Sequence, residues 1–224
     1  MNWFENLRNI IKWRSKKMSL GRFVRINDSS FLEGYNRVGN NSYINGLYMG
    51  IHSYIGTDCI LNKTKIGRFT SIGDRVMVIT GNHPTTQNIS TSPVFYSVKS
   101  DVGSFVQSDF FVEYKYAVDD YYVSIGNDVW IGSDVRLMHG ISIGDGAVVG
   151  SGAIVTRDLE PYSINVGIPA KKIKSRFTPE VVIELMKMQW WNWDDKLLKD
   201  RALVFKSPEK FLECFGESYG ELKR

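Results

Sequence analysis

Three histidines and two cysteines are the side chains of this 224-residue chain best suited to proton transfer, metal binding or nucleophilic attack. Their spacing narrows the chemistry. His52, His83 and His139 lack the close pair a zinc site would need, and Cys59 and Cys214 form neither a metal-ligand pair nor a disulfide framework. His83 differs from the rest because it lies in the stretch VITGNHPTTQNISTSPVFY, where a regular pattern stops and does not return until residue 125. A neutral imidazole is suited to take a proton near pH 7, and a positioned base of this kind contributes roughly 100- to 10,000-fold to rate. A histidine taken at random is more often structural; its place at the exit of a long insertion favours the base. No metal is expected.

The interrupted pattern is a repeat. From residue 125 the chain divides into IGNDVW, IGSDVR, LMHGIS, IGDGAV, VGSGAI and VTRDLE, opened by Ile125, Ile131, Leu137, Ile143, Val149 and Val155. The fifth places hold Val129, Val135, Ile141, Ala147, Ala153 and Leu159, also apolar, and the other places are mostly Gly, Asn, Asp, Ser or Arg. An earlier array (VGNNSY, MGIHSY, IGTDCI, LNKTKI, then IGRFTS and IGDRVM) follows the same rule with a one-residue slip. A period of six fits neither an amphipathic helix nor one long alternating strand. It fits short strands joined by corners, with the opening and fifth residues facing a narrow interior and Gly, Asn or Asp supplying the corner angles. Branched side chains then stack coil on coil, which predicts an all-β parallel β-helix of hexapeptide repeats. In this register Cys59 faces inward and is read as a small core filler.

Composition bounds the rest. At 43% hydrophobic residues the chain can bury a substantial core, and no apolar run approaches a membrane span. The net charge of +4 is modest, so no nucleic-acid partner is expected. The excess is local: Arg8, Lys12, Arg14, Lys16, Lys17, Arg22 and Arg25 stand against Glu5 alone in the first 25 residues. A reducing, cytoplasmic setting fits the cysteine usage. The expected organisation is a basic, helical lead-in at 1–30, a β-helix at 31–177 with an insertion at about 80–123, and a helical segment at 178–224.

The blocks from IGNDVW to NVGIPAKKIKSRF resemble the hexapeptide-repeat acyltransferases. With GNHPTTQNISTSPVFY and the later WWNW they resemble the xenobiotic acetyltransferase branch, which holds hexapeptide chloramphenicol and streptogramin acetyltransferases and polysaccharide O-acetyltransferases. The resemblance spans roughly residues 35–200 and implies a left-handed β-helix, a homotrimer and acetyl-CoA bound at subunit junctions. The handedness comes from the resemblance alone, since parallel crossovers are otherwise almost always right-handed. It also implies that the insertion walls the acceptor pocket and that His83, within Asn82-His83-Pro84, is the general base. Asn82 and Tyr96 are expected at the acceptor. Trp130, Gly132, Ser133, Gly150 and Ser151 match positions along the pantetheine arm, although Gly and Ser are needed at corners anyway. Thr156, Arg157, Lys171 and Lys174 match contacts to the adenine and phosphates, where positive charge suits the ligand, although PAKKIK also reads as a solvated tail. Ile168 departs from a commoner Asn.

The two ends read differently. Thr178-Pro179-Glu180 and Ser207-Pro208-Glu209 are helix starts. Trp190, Trp191 and Trp193 suggest packing against the coil more than a ligand platform, and His52 and His139 are expected at solvated turns or at the trimer interface. Trp3, Phe4, Leu7, Ile10, Ile11 and Trp13 lie at the spacing of an amphipathic helix, for peripheral contact with an anionic membrane or for packing on the trimer.

The expected activity is acetyl-CoA-dependent transfer to a hydroxyl of a saccharide or polysaccharide precursor by direct attack, with no cysteine or serine nucleophile. Alternatives are an antibiotic acceptor (chloramphenicol or a streptogramin) and an amino sugar. A γ-type carbonic anhydrase is disfavoured by the histidine spacing, and a non-catalytic scaffold by the long aromatic insertion.

Overall fold

A computed structural model describes residues 17–216, and the expected N-terminal amphipathic helix falls outside them. Among the described residues nineteen strands of two to five residues, numbered β1 to β19 in chain order, wind into a coil with three faces of eight, six and five strands, paired in parallel but for one pair. The last pair on the first face, β18 (Ser163–Val166) and β19 (Lys171–Ser175), is antiparallel. Strands β1 (Ser19–Leu20) and β2 (Arg25–Ile26) already pair with the coil, so it begins ahead of residue 31.

Along the coil the short strands send one side chain outward and the next inward, as pleating dictates, whereas all five residues of β19 are exposed. All twelve opening and fifth-place residues between Ile125 and Leu159 are buried in one continuous core. The one-residue slip has a structural origin. In the early coils Arg37, Tyr54 and Ser71 pair at a spacing of seventeen, and later Trp130 and Val148 pair at eighteen. Seventeen-residue coils hold polar atoms inside and satisfy them on the backbone: Ser53 Oγ donates to Gly67 O at 2.8 Å and Thr70 Oγ1 to Gly126 O at 2.8 Å. Cys59 fills the interior beside Gly73 O, and burial pushes its thiol pKa up to about 11, so it is an inert filler.

Corner residues take left-handed backbone angles, and large side chains occupy several of them. Tyr35, His52 and Phe69 have φ of 49°, 62° and 59° and stack ring on ring at 5.1 Å. His52 is therefore at a turn and half-buried, with 28% of its side chain exposed. Its Nε2 lies 3.1 Å from Asp195 Oδ1 and ties the coil to the C-terminal helices α1 (Pro179–Met188), α2 (Asp195–Arg201) and α3 (Pro208–Phe215). The α1 and α3 starts fall where the Thr-Pro-Glu and Ser-Pro-Glu signals sit, and Ser207 Oγ caps Lys210 N. Trp190 packs on Phe69 at 5.1 Å, Trp191 is buried, and Trp193 stacks on Phe211 and Phe215, so the tryptophans form a second small core.

Candidate active site

The second face turns into the third at short corners of one to four residues, such as Lys63 in one coil and His139 and Gly140 in another. Between β11 (Met77–Ile79) and β12 (Val123–Ile125) the same corner is replaced by residues 80–122. Strand β11 pairs with β14 (Arg136–Met138), and β14 with β17 (Ile154–Val155). The insertion, His139 and the Thr156-Arg157 corner therefore lie on one edge, at successive coils spaced about 4.8 Å apart.

The insertion is an ordered flap. Phe95 packs on Phe105 at 5.4 Å, Asp109 Oδ1 accepts from Val98 N at 2.7 Å, and Phe105 N donates to Val94 O at 2.8 Å. On its return, Tyr114 and Tyr116 stack on Tyr122, over which Lys63 places its ammonium. Burial, then Tyr116, pushes the Tyr122 phenol up to about 12. His139 is buried, against the expectation of a solvated or interfacial turn, and its Nδ1 accepts from Lys115 N at 2.8 Å. It anchors the flap; sequence alone gave no signal, because the partner is a backbone amide in an aperiodic segment.

His83 stands exposed at the flap's exit. Asn82 Oδ1 accepts from His83 N at 2.9 Å, which shapes the exit, so this oxygen is engaged locally rather than offered to an acceptor. The His83 Nδ1 lies 2.8 Å from Thr91 O and 2.9 Å from the Tyr96 hydroxyl. A carbonyl oxygen only accepts, so the proton sits on Nδ1 and the Nε2 lone pair is open. That is the arrangement of a general base with an oriented ring. Tyr96, expected at the acceptor, is 0% exposed and cannot touch one. Burial and, after it, Glu113 raise its phenol above the ordinary pKa, so it stays protonated at neutral pH.

The expected donor-side residues fall into three places. Trp130 lies outward on β13 (Trp130–Ile131), and Gly132-Ser133 and Gly150-Ser151 form stacked corners of adjacent coils on the other edge of the second face. Gly132 has a structural reason to be glycine, since a Cβ there would meet Ser151 N at 2.6 Å. Thr156 and Arg157 are exposed on the flap's edge, two coils beyond it. Lys171 and Lys174 are exposed on β19, at the end of the coil, where Lys172 pairs with Glu160 at 2.7 Å. Small corners beside an exposed basic end fit a slender anionic ligand such as coenzyme A. Among the described residues no cluster of His, Cys, Asp or Glu could hold a metal ion.

Several known proteins are similar to this chain. Residues 122–157 match the family described as bacterial transferase hexapeptide (six repeats). A chloramphenicol acetyltransferase from Klebsiella aerogenes is 40% identical over 173 residues, 73% of this chain and 78% of that protein. One from Agrobacterium fabrum is 38% identical over 174 residues, 72% and 78% of the two chains. A crystal structure of a variant of AntD, an N-acyltransferase from Bacillus cereus, in complex with dTDP and coenzyme A, superposes with a TM-score of 0.50 at 22% identity over 88% of this chain and 96% of that one. This last likeness is one of fold, the left-handed β-helix of hexapeptide repeats.

Proposed function

The chain belongs to the hexapeptide-repeat acetyltransferases of the chloramphenicol acetyltransferase type, and we propose that within it His83 is the general base for direct transfer to a saccharide hydroxyl. It is an acetyltransferase, and acetyl-CoA supplies the acetyl group as a thioester. In the proposed step, His83 Nε2 takes the acceptor hydroxyl's proton as that oxygen bonds to the acetyl carbon. The carbon–sulfur bond breaks and the proton passes from His83 to the departing thiolate. The observation that carries this reading is the Nδ1 contact with Thr91, which leaves Nε2 free at the flap's exit.

The remaining roles follow from position. Trp130, Gly132, Ser133, Gly150 and Ser151 would line the pantetheine arm, with Thr156, Arg157, Lys171 and Lys174 near the adenine and phosphates. Asn82 is retained beside the acceptor through its exposed amide nitrogen. The exposed His83 needs walls to exclude water. The flap's Ile89, Val102 and Phe105 project apolar surface from the single chain, which supports a homotrimer whose neighbouring subunits cover them. Among the described residues no helix is long and apolar enough to cross a membrane. A cytoplasmic enzyme, touching a membrane through its basic N-terminus, fits a precursor acceptor.

Saccharide is the first acceptor class because the flap offers aromatic rings beside polar side chains. An antibiotic is the second, favoured by the chloramphenicol acetyltransferase and virginiamycin A acetyltransferase relatives. The test follows release of the CoA thiol from acetyl-CoA with wild type and His83→Ala against sugar nucleotides, oligosaccharide precursors, chloramphenicol and a streptogramin. Loss of at least about 100-fold in His83→Ala on a saccharide is expected. Turnover on the antibiotics alone replaces the acceptor, and unchanged turnover in the variant removes His83 from the chemistry.

A further inference from the structure

We propose that Tyr96 is a positioning residue that holds the His83 imidazole in the orientation a base requires, beside the Thr91 carbonyl that sets its tautomer. The inference rests on the reading of His83 as base and deepens it.

Two oxygens converge on one ring nitrogen. Thr91 O lies at 2.8 Å and the Tyr96 hydroxyl at 2.9 Å from His83 Nδ1, with the Tyr96 and His83 rings edge to face at 79°. A phenol can donate or accept, whereas the carbonyl can only accept. With the proton on Nδ1, both oxygens accept from the same N–H. With the proton on Nε2, the phenol would donate but the Thr91 carbonyl would face a lone pair across 2.8 Å. The Thr91 carbonyl thus selects the tautomer that leaves Nε2 open, and the Tyr96 hydroxyl, which accepts in that tautomer, fixes the ring's orientation from a second side. When His83 gains a proton from an acceptor, both oxygens remain acceptors and the contact strengthens as positive charge develops.

The hydroxyl is delivered by a rigid mount. Tyr96 follows the single turn Pro93–Phe95 and donates its N–H to Pro93 O at 3.1 Å, and its own carbonyl accepts from Phe110 N at 3.1 Å. Phe111 packs edge on to its ring at 5.2 Å. The side chain has no exposed surface, and the partner of its hydroxyl is His83. A polar group sealed in this way acts through the histidine, not on the acceptor. The same flap that walls the pocket therefore carries the group that orients the base.

The test combines a spectroscopic and a kinetic readout. Imidazole nitrogen shifts in histidine-labelled wild type, with the His83 signal assigned by its loss in His83→Ala, report which nitrogen carries the proton. The expected result is Nδ1–H; an Nε2–H signature overturns the proposal whatever the activity. In Tyr96→Phe, kcat should fall about three- to tenfold, the scale of one hydrogen bond. The acceptor KM should stay within about twofold. A raised KM at unchanged kcat would mark a substrate contact and overturn it. Phe111→Leu loosens the mount but keeps the hydroxyl, and should retain kcat within about twofold. Equal losses in the two variants, at equal falls in thermal midpoint, would assign the effect to packing and overturn the proposal. Full activity in His83→Ala would instead sink the base itself, an outcome the nitrogen shifts do not share.

Discussion

Gly132→Ala separates two demands on the same corner, coil stacking and ligand contact. A Cβ at position 132 would meet Ser151 N and Oγ at 2.6 Å and Ser151 Cα at 2.9 Å. Ordinary contact begins near 3.4 Å, so the two coils must separate by most of an ångström. The obstacle is partly backbone, and the backbone is held: Gly132 N donates to Val149 O at 2.8 Å and Gly150 N to Asn165 O at 2.8 Å. Overpacking of this kind costs about 1–3 kcal/mol, and a weakened hydrogen bond adds about 1 kcal/mol. For a chain of this size each kcal/mol lowers the thermal midpoint by about 2–4 °C, so a fall of roughly 4–16 °C is expected. Gly152→Ala is the control. Its Cβ would meet nothing within 4 Å, and only the φ of 72° opposes it, a strain of about 1–2 kcal/mol. The assay is circular dichroism melting at one protein concentration, with the acetyl-CoA KM measured on the same samples. A Gly132→Ala midpoint within about 2 °C of wild type would refute the stacking argument, and a raised KM at that unchanged midpoint would assign the glycine to the ligand.

Two further outcomes follow from the buried contacts. His139→Ala leaves Lys115 N without its acceptor and should cost about 1–3 kcal/mol; it should also raise protease sensitivity within 80–122, and an unchanged digestion pattern would remove His139 as the flap's anchor. For Glu33, burial would raise the carboxyl, but hydrogen bonds from Tyr48 and Ile51 N and the Arg68 guanidinium hold it below its ordinary pKa. A lowered carboxyl stabilises the fold above its unfolded value, about 4.3, and the contribution is lost as pH falls through the folded one. Between pH 5 and pH 3 the wild-type midpoint should therefore fall more steeply than that of Glu33→Gln; parallel slopes would refute the assignment.

How much the sequence disclosed follows from where each partner lies. The later coils were legible because every inward residue answers to a local rule: six residues on, the next branched side chain stacks on the same core, as Ile125, Ile131 and Leu137 do. The helix starts at Thr178 and Ser207 were legible for the same reason, their signals lying within four residues. The first coils hid themselves. Lys17, Phe23 and Tyr35 occupy left-handed corners with φ of 54°, 57° and 49°, where the corner rule anticipates Gly, Asn or Asp. These large residues are tolerated because stacking repays part of the angular cost, as in the ladder of Tyr35, His52 and Phe69.

The site was half legible, and the boundary is physical. His83 stands out as the candidate because it lies where a period is interrupted, a property of the chain itself. Tyr96, expected at the acceptor, is instead buried against His83 because the flap folds back, which brings residues thirteen positions apart into contact with no periodic signature. His139 failed likewise, its partner lying twenty-four positions away on a backbone amide. In a solenoid the core is specified coil by coil, but the chemistry is gathered where that local rule is suspended. The residues that orient a side chain there can be named only once the insertion's own hydrogen bonds are known, and in this chain those bonds join a single nitrogen of His83 to the Thr91 carbonyl and the Tyr96 hydroxyl.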